Sequence, residues 1–249
     1  MNKAERQQLI INRITQEHHI YISILCEELG TSYDSIRRDI TELDAAGKLV
    51  RVHGGAIAKM GIPAEYTKRS DLENSAKQYL ASKAVRLFNN GDSLLIDGGT
   101  SNMELVRQLP SDKNFTIYTN SLPIASEFCE HKNLDIHLLG GNVYAPSLIT
   151  IGIPVIKALQ AIRPDWLSLG VCAIDPQIGI TTILHEESLI KQTMVECARQ
   201  CVVMADNSKL NTAEQNISAT LRDIDYLVVE DNQIELICKD WPKYSYYVI

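Results

Sequence analysis

Apolar positions in the first sixty residues follow helical spacing. Leu9, Ile10 and Ile14 fall on one face of a segment over 3–16, with Arg6, Gln7 and Arg13 outside it. A polar break, Glu17-His18-His19, precedes a second helix over 22–29, which Gly30 closes. Ser32 then caps a third helix from Tyr33 to about Ala46, where Ile36, Ile40 and Leu43 at i, i+4 and i+7 form a buried stripe. After Gly47, the stretch Lys48-Leu49-Val50-Arg51-Val52-His53-Gly54-Gly55 alternates and turns at glycines, which predicts a small β-hairpin or wing.

Residues 58–73 carry Gly61, Pro63 and many charges with little periodicity, and read as a connection. A helix over about 74–89 follows, with Leu80, Ala84 and Leu87 inward. From Gly91 onward short apolar runs recur at 94–96, 115–118, 136–139, 166–169, 202–204, 226–229 and 246–249. Most are separated by helix-length stretches such as 102–109, 123–130 and 188–200. Strands alternating with helices predict an α/β fold with a mainly parallel sheet. The domains are therefore expected at 1–57 and 74–249, joined by a linker over 58–73.

Bulk properties change this picture little. The chain has 249 residues, 45% hydrophobic and 22% charged, which is ordinary for a globular protein. It has no apolar stretch of membrane-spanning length, and its N-terminus lacks the apolar run of a secretory signal, so no membrane partner and a cytoplasmic location are expected. The six cysteines include no C-x-x-C pair, and His18, His19, His131, His137 and His185 lack metal-ligand spacing. Reduced, mostly buried thiols are expected, with neither metal nor cofactor. The net charge of −7 argues at first against nucleic acid. Residues 1–60, however, hold eight basic and eight acidic residues, so the whole deficit lies in the remainder. Any contact with DNA must rest on a local cationic face, with the acidic part held away from the phosphates.

Two short helices, a Gly-containing turn and a capped third helix fit a helix-turn-helix. Phased from its buried stripe, the third helix turns Asp34, Arg38 and Thr41 away from Ile36 and Ile40, flanked by Tyr33, Ser35 and Arg37. With Ser32 at the cap, this face suits double-stranded DNA: Arg for guanine edges or phosphates, Tyr and Ser for backbone oxygens. Lys48, Arg51 and His53 on the wing would meet neighbouring phosphates. The competing reading is a helical interaction module in which Asp34 and Arg38 form only an i, i+4 surface ion pair.

A second set of candidates follows the strands. Asp97-Gly98-Gly99-Thr100-Ser101, Thr119-Asn120-Ser121, Gly140-Gly141-Asn142, Gly170, and Ala205-Asp206-Asn207-Ser208-Lys209 each succeed an apolar run. Ligands of open α/β sheets bind beyond the carboxyl ends of the strands. These loops offer free backbone N–H groups, hydroxyls, an amide and a lysine, and Gly98 to Ser101 lead into a helix N-terminus that favours an anion. The set suits a sugar phosphate, with Asp97, Asn120 and Asp206 on its hydroxyls. The bland alternative is ordinary turn chemistry. Glu186, Glu187 and Lys191 open a helix where acidic residues complement the dipole, with Glu187 within reach of the pocket as a second reading.

These residues resemble the DeoR family of bacterial regulators. Gly30-Thr31-Ser32-Tyr33-Asp34-Ser35-Ile36-Arg37-Arg38-Asp39-Ile40 is similar to the family's G-V-S-x-x-T-I-R-R-D-L signature, continued by Leu43, Gly47 and Arg51-Val52-His53-Gly54-Gly55-Ala56. Lys77, Leu80, Ala81 and Ala84, then Asp97-Gly98-Gly99-Thr100-Ser101, Thr119-Asn120-Ser121, Leu139-Gly140-Gly141 and Ala205-Asp206-Asn207-Ser208-Lys209 resemble its sensor-domain motifs in order. The resemblance implies a winged helix-turn-helix followed by a sensor domain related in fold to ribose-5-phosphate isomerase and CoA transferases. It implies a repressor of a carbohydrate-metabolism operon, a homodimer or homotetramer, controlled by a phosphorylated sugar effector and not an enzyme. Asp-Gly-Gly-Thr-Ser replaces the commoner D-S-G-T-T, and Val171-Cys172-Ala173 replaces a glycine-containing turn. An isomerase-like enzyme using Asp97 or Asp206 as base and Lys209 as partner is the alternative.

Overall fold

The computed structural model describes residues 1–59, 65–70, 74–242 and 246–249, with the side chain of residue 74 excepted. The N-terminal part runs α1 (Lys3–Glu17), β1 (His19–Tyr21), α2 (Ile22–Leu29), α3 (Tyr33–Ala45), β2 (Leu49–Val52) and β3 (Gly55–Lys59). Asn2 and Glu5 cap α1 reciprocally, Gly30 ends α2 at φ +58°, and Ser32 caps α3. Ile10, Ile14, Ile22, Leu25, Ile36, Ile40 and Leu49 close one small core. The polar break of the sequence contains more than a break. His18 stops α1 in the left-handed region, and His19, Ile20 and Tyr21 pair antiparallel with β3. A three-residue strand with one buried side chain has no visible alternation. Its approach to β3 requires Gly55, where a Cβ would lie 2.0 Å from the Ile20 carbonyl oxygen.

Helix α4 (Tyr66–Ser70) lies within the segment expected to be a linker; residues 60–64 and 71–73 of that segment lie outside the described ones. Helix α5 (Asn74–Ala84) gives way to a 3-10 turn over Val85–Leu87, earlier than the expected end at 89. Then follow β4 (Ser93–Ile96), α6 (Thr100–Arg107), β5 (Phe115–Thr119), α7 (Leu122–Phe128), β6 (Leu134–Leu138), β7 (Asn142–Tyr144), β8 (Ile149–Ile151) and α8 (Ile153–Gln160). The remainder is β9 (Trp166–Leu169), β10 (Ala173–Asp175), β11 (Gly179–Thr182), α9 (His185–Cys197), β12 (Gln200–Met204), β13 (Thr212–Ala213), β14 (Asn216–Ala219), β15 (Tyr226–Val228), α10 (Asp231–Asp240) and β16 (Tyr247–Val248).

The seven apolar runs become the seven strands of one sheet, ordered β16-β15-β12-β9-β4-β5-β6, and every neighbouring pair is parallel. Alternate residues feed two cores. Leu94, Ile96, Ile117 and Val202 meet Leu80, Ala84, Leu105 and Ile124 on one face. Leu95, Leu167, Leu169 and Val203 meet Val155, Leu159, Ile190 and Met194 on the other. Burial on both faces is what makes such strands continuously apolar. The chain grows outward from β4 through β5 to β6, then returns to place β9 on the other side of β4.

The two parts are joined by more than the connecting chain. β3 pairs in parallel with β13, Ala58 opposite Thr212 and Lys59 opposite Ala213. Lys59 Nζ stands 4.0 Å from Glu214 Oε2. Glu214 is buried, neither of its carboxylate oxygens has a hydrogen-bond partner among the described residues, and burial pushes its carboxyl up against the opposing pull of Lys59. An acid whose value is raised by folding favours the folded state in its protonated form. Its stabilising contribution is therefore present below the ordinary carboxyl value and is lost as pH rises through the folded one. We expect Glu214→Gln to remove that slope, raising the thermal midpoint relative to the parent at pH 8 more than at pH 5. Parallel pH profiles of the two proteins would contradict this.

Candidate functional site

Two regions collect the polar residues singled out in the sequence. On the first, Ser32, Tyr33, Asp34, Arg37, Arg38 and Thr41 are exposed along α3 and Ser35 is half-buried. Lys48, Arg51 and His53 are exposed on the wing beside them. The orientation of this face follows from the opposite one. Asp39 is buried at 1% exposure in an ion pair with Arg6 and a 3.3 Å hydrogen bond from Gln7, which pins α3 to α1. Arg51 Nη1 donates to Thr41 Oγ1 at 3.3 Å, and its amide to Asp44 Oδ1 at 3.3 Å, so wing and helix share a fixed geometry. Asp34 and Arg38 form no ion pair, and neither Arg37 nor Arg38 has a carboxylate partner among the described residues. Two guanidinium groups thus stand in solvent on an exposed helix face, without the neutralisation that a surface ion pair would give.

The second region is a cavity of about 460 Å³. It opens beyond the carboxyl ends of β12, β9 and β4, where the direction of strand growth reverses, the crevice in which open α/β sheets bind ligands. Gly98, Gly99, Thr100, Ser101, Asp206 and Lys209 line it, as does Gly170. Gly98 packs so closely on Ile149 that a Cβ would lie 2.3 Å from Ile149 Cγ2, and Gly99 enters α6 at φ +135°. Both positions exclude side chains from the helix entrance. Lys209 is buried, with Nζ 3.3 Å from Ser101 Oγ and 3.4 Å from Asp206 Oδ2. Burial opposes the Asp206 charge, but Lys209 and the Ser208 hydroxyl and amide outweigh it and hold the carboxyl below its ordinary value. Lys77 also lines the cavity; burial and the neighbouring Lys209 charge push its ammonium down.

Asp97 does not line the cavity but builds its floor. It accepts hydrogen bonds from the Gly98 amide at 2.7 Å and the Gly170 amide at 3.0 Å, and it is ion-paired with Lys191. Lys191 Nζ also donates to the Gly170 carbonyl at 2.7 Å and lies 3.4 Å from Glu187. Burial opposes the Lys191 charge, but Asp97 and Glu187 hold the ammonium above its ordinary value. Asn102 clamps β4 to β9, donating to the Asp97 and Ser168 carbonyls at 2.8 and 3.0 Å. Cys172 also lines the cavity, and burial and then Glu214 and Glu187 push its thiol up to about 11.

Besides Asp97, five expected ligand residues lie outside this lining: Thr119, Asn120, Ser121, Gly140 and Gly141. Their loops follow β5 and β6, on the far side of the reversal, and are consumed by the β7–β8 hairpin. The Thr119 carbonyl accepts from the Leu139 amide at 2.8 Å and the Asn120 carbonyl from the Thr150 amide at 2.8 Å. Ser121 caps α7, and Gly141 lies where a Cβ would be 2.5 Å from the Ile151 carbonyl oxygen. Conversely, Arg69, Lys77, Glu187 and Lys191 line the cavity from helices. Of these only Glu187 carried a pocket reading in the sequence; the Glu187–Lys191 spacing is also that of a surface pair.

A winged helix-turn-helix with a bare basic face, clipped to an α/β domain with a cation-bearing crevice, is the build of a ligand-responsive DNA-binding regulator. The DeoR-like helix-turn-helix domain matches residues 6–60, and the DeoR C terminal sensor domain matches residues 73–231. The chain belongs to the DeoR family of transcriptional regulators. It is 32% identical over 232 residues to the HTH-type transcriptional regulator GlpR of Haloferax volcanii, covering 92% of this chain and 91% of that one. It is 28% identical to the HTH-type transcriptional repressor GlcR of Bacillus subtilis, over 96% and 92% of the two chains. The glycerol-3-phosphate regulon repressor of Haemophilus influenzae is 28% identical, over 93% and 91%. Among solved structures, ribose 5 phosphate isomerase A of Neisseria gonorrhoeae superposes with a TM-score of 0.39 at 13% identity, over 58% of this chain and 55% of that one. No helix among the described residues is long and apolar enough to cross a membrane.

Proposed function

We propose that this chain is a repressor of a carbohydrate-metabolism operon whose hold on its operator is set by a phosphorylated sugar bound in the crevice. Ser32 at the cap and Tyr33, Asp34, Ser35, Arg37, Arg38 and Thr41 of α3 read the major groove, with Lys48, Arg51 and His53 on flanking phosphates. The effector's phosphate sits at Gly98 to Ser101 against Lys209, and Asp206 takes a sugar hydroxyl. The observation that carries the effector reading is the buried Lys209 at the entrance of α6, 3.3 Å from Ser101 Oγ, with Lys77 electrostatically pressed beside it. A phosphate dianion relieves the repulsion between those cations and takes the free N–H groups of the helix entrance. The names of relatives, which include a glycerol-3-phosphate regulon repressor, support the same class of ligand. A homodimer or homotetramer would place two copies of α3 on spaced half-sites.

No observation favours the isomerase-like alternative. Asp97 is locked to Lys191 in the floor, and a carboxyl held low, as at Asp206, is a weak general base.

The test is fluorescence anisotropy on labelled DNA from upstream of its own gene, at fixed salt with excess random duplex. Sugar phosphates and the matching free sugars are added in turn. One phosphate ester is expected to shift specific binding where its free sugar does not. Specific binding that responds equally to ester and free sugar, or to neither, would overturn the effector reading.

Gly170→Ala probes the floor. The new Cβ would stand 2.4 Å from the Gly98 carbonyl oxygen and 2.8 Å from Asp97 Oδ2, forcing β4 and β9 apart at the crevice. Overpacking of this kind costs about 1–3 kcal/mol. We expect effector affinity to fall at least about tenfold while DNA binding without effector persists, as titrations of the two proteins will show.

A further inference from the structure

Strand β6 is one edge of the seven-stranded sheet, and among the described residues it pairs only with β5. The direction of its outer hydrogen-bonding groups follows from the inner ones. The Phe115 amide donates to the Asn133 carbonyl at 3.0 Å, and the Leu139 amide to the Thr119 carbonyl at 2.8 Å. Odd positions of β6 therefore bond to β5, and the N–H and C=O of Ile136 and Leu138 point outward from the sheet. An edge of this kind is a template for a further strand, and proteins commonly blunt it with lysine, proline or a bulge. Leu134-Asp135-Ile136-His137-Leu138 contains neither lysine nor proline, and its register with β5 is unbroken. On one face Leu134, Ile136 and the exposed Leu138 form a groove with Leu122, Ala125 and the exposed Cys129 of α7. On the other face Asp135 and His137 are exposed and 2.9 Å apart, with the imidazole stacked on Tyr118.

We propose that this edge is where a second copy of the chain docks, the two β6 strands running antiparallel about a two-fold axis at Ile136. The strand is chemically palindromic about that residue. Ile136 of one copy meets Ile136 of the other, and each outward N–H bonds the opposite C=O. Leu138 meets Leu134 across the axis, so the exposed side chain of each copy covers the groove of the other. Asp135 meets His137 twice, a carboxylate opposite an imidazole donor each time. Charge selects this register over its neighbours. A shift by two residues one way sets Asp135 against Asp135, and the other way sets His137 against His137. The inference rests on the reading that two copies act together on spaced half-sites, and it is independent of what the crevice binds.

The experiment uses the full-length chain. A Cys129→Ser, Cys238→Ser background removes the exposed thiols. Into it are placed Ile136→Cys, Leu138→Cys, and Leu134→Cys together with Leu138→Cys, and each protein is oxidised and resolved without reductant. Opposed residues of a hydrogen-bonded antiparallel pair have Cα atoms about 5.5 Å apart, within disulfide reach. Ile136→Cys is expected to cross-link into a dimer. Leu138→Cys alone is not, because it faces leucine, and the Leu134, Leu138 double variant is. Sedimentation velocity gives the second readout. Leu138→Lys and Asp135→Lys are each expected to weaken one step of self-association at least about tenfold with the thermal midpoint unchanged. Adding His137→Asp to Asp135→Lys restores part of that loss. An oligomeric parent whose association ignores Leu138→Lys, and whose Ile136→Cys form stays uncross-linked, overturns this interface and leaves the two-copy reading standing. Equal cross-linking of Ile136→Cys and Leu138→Cys means contact without register and also overturns it. A parent that is monomeric both free and on its operator removes the two-copy reading and this inference with it.

Discussion

Replacing Arg37 and Arg38 together by alanine is expected to abolish operator binding and leave the protein folded. Both side chains are exposed on α3 and take part in no ion pair among the described residues, so truncation removes no side-chain partner there. Surface changes of this kind usually alter stability by no more than about 0.5 kcal/mol. Each arginine that reaches a guanine edge contributes about 1–3 kcal/mol of discrimination, and one that reaches a phosphate contributes counterion release. Losing both lowers specific affinity by about two to four orders of magnitude. The salt dependence separates the two roles, because removing a phosphate contact flattens the slope of log affinity against log salt by about one. Asp39→Ala is the contrasting control. It strips the buried partner of Arg6, and loosens the pairing of α1 with α3 without touching the exposed face. Anisotropy titrations at several salt concentrations, beside thermal melts, measure both effects. Unchanged operator affinity in the double variant would remove α3 as the reading helix.

The parts of this molecule that were legible in the sequence are those with a period or a continuous run. The stripe Ile36, Ile40, Leu43 placed α3 and hence its exposed side, and a sheet covered on both faces wrote its strands as seven apolar runs. Strands of two to four residues, such as β10, β13 and β14, are too short to show alternation, and they pair across distances that local pattern does not encode. The clip between β3 and β13 joins residues more than 150 positions apart. Its strand segment Ala58–Lys59 therefore read as the start of a linker.

The pocket divided along the same line. Loops after strands were legible as polar, but which of them share a crevice depends on the order of strands in the sheet. The loops after β4, β9 and β12 meet because these strands are neighbours. The loop after β5 is as rich in hydroxyls, yet it faces the hairpin. Lys191 and Arg69 were obscured for a different reason. A lysine four residues after a glutamate, or an arginine in a charged stretch, has the appearance of solvated surface until the backbone carries it inward.

Asp97→Ala is expected to be the most damaging single change in the sensor domain. The pair it breaks is almost wholly buried, with 3% side-chain exposure at Lys191 and 1% at Asp97. Removing the carboxylate leaves an ammonium in the floor with, among the described residues, the Gly170 carbonyl and, at 3.4 Å, Glu187 as its partners. Breaking a buried pair from one side costs about 3–5 kcal/mol, a large part of the stability of a domain this size. Lys191→Met should cost less, because Asp97 keeps the amides of Gly98 and Gly170. The double variant Asp97→Asn with Lys191→Met, which strands no charge, should lose less stability than the two single changes added together. The pH dependence of the pair is equally specific. The ammonium is raised on folding, so its contribution is complete below the ordinary lysine value near 10.4 and fades only as pH climbs through the folded value. Across pH 6 to 9 the contribution of the pair to the parent's stability should therefore be flat, in contrast to the slope expected from Glu214. Urea denaturation of the parent, both single variants and the double variant at pH 6 and pH 9 measures all of this. An Asp97→Ala protein within about 1 kcal/mol of the parent would show that the floor of the crevice does not depend on this pair.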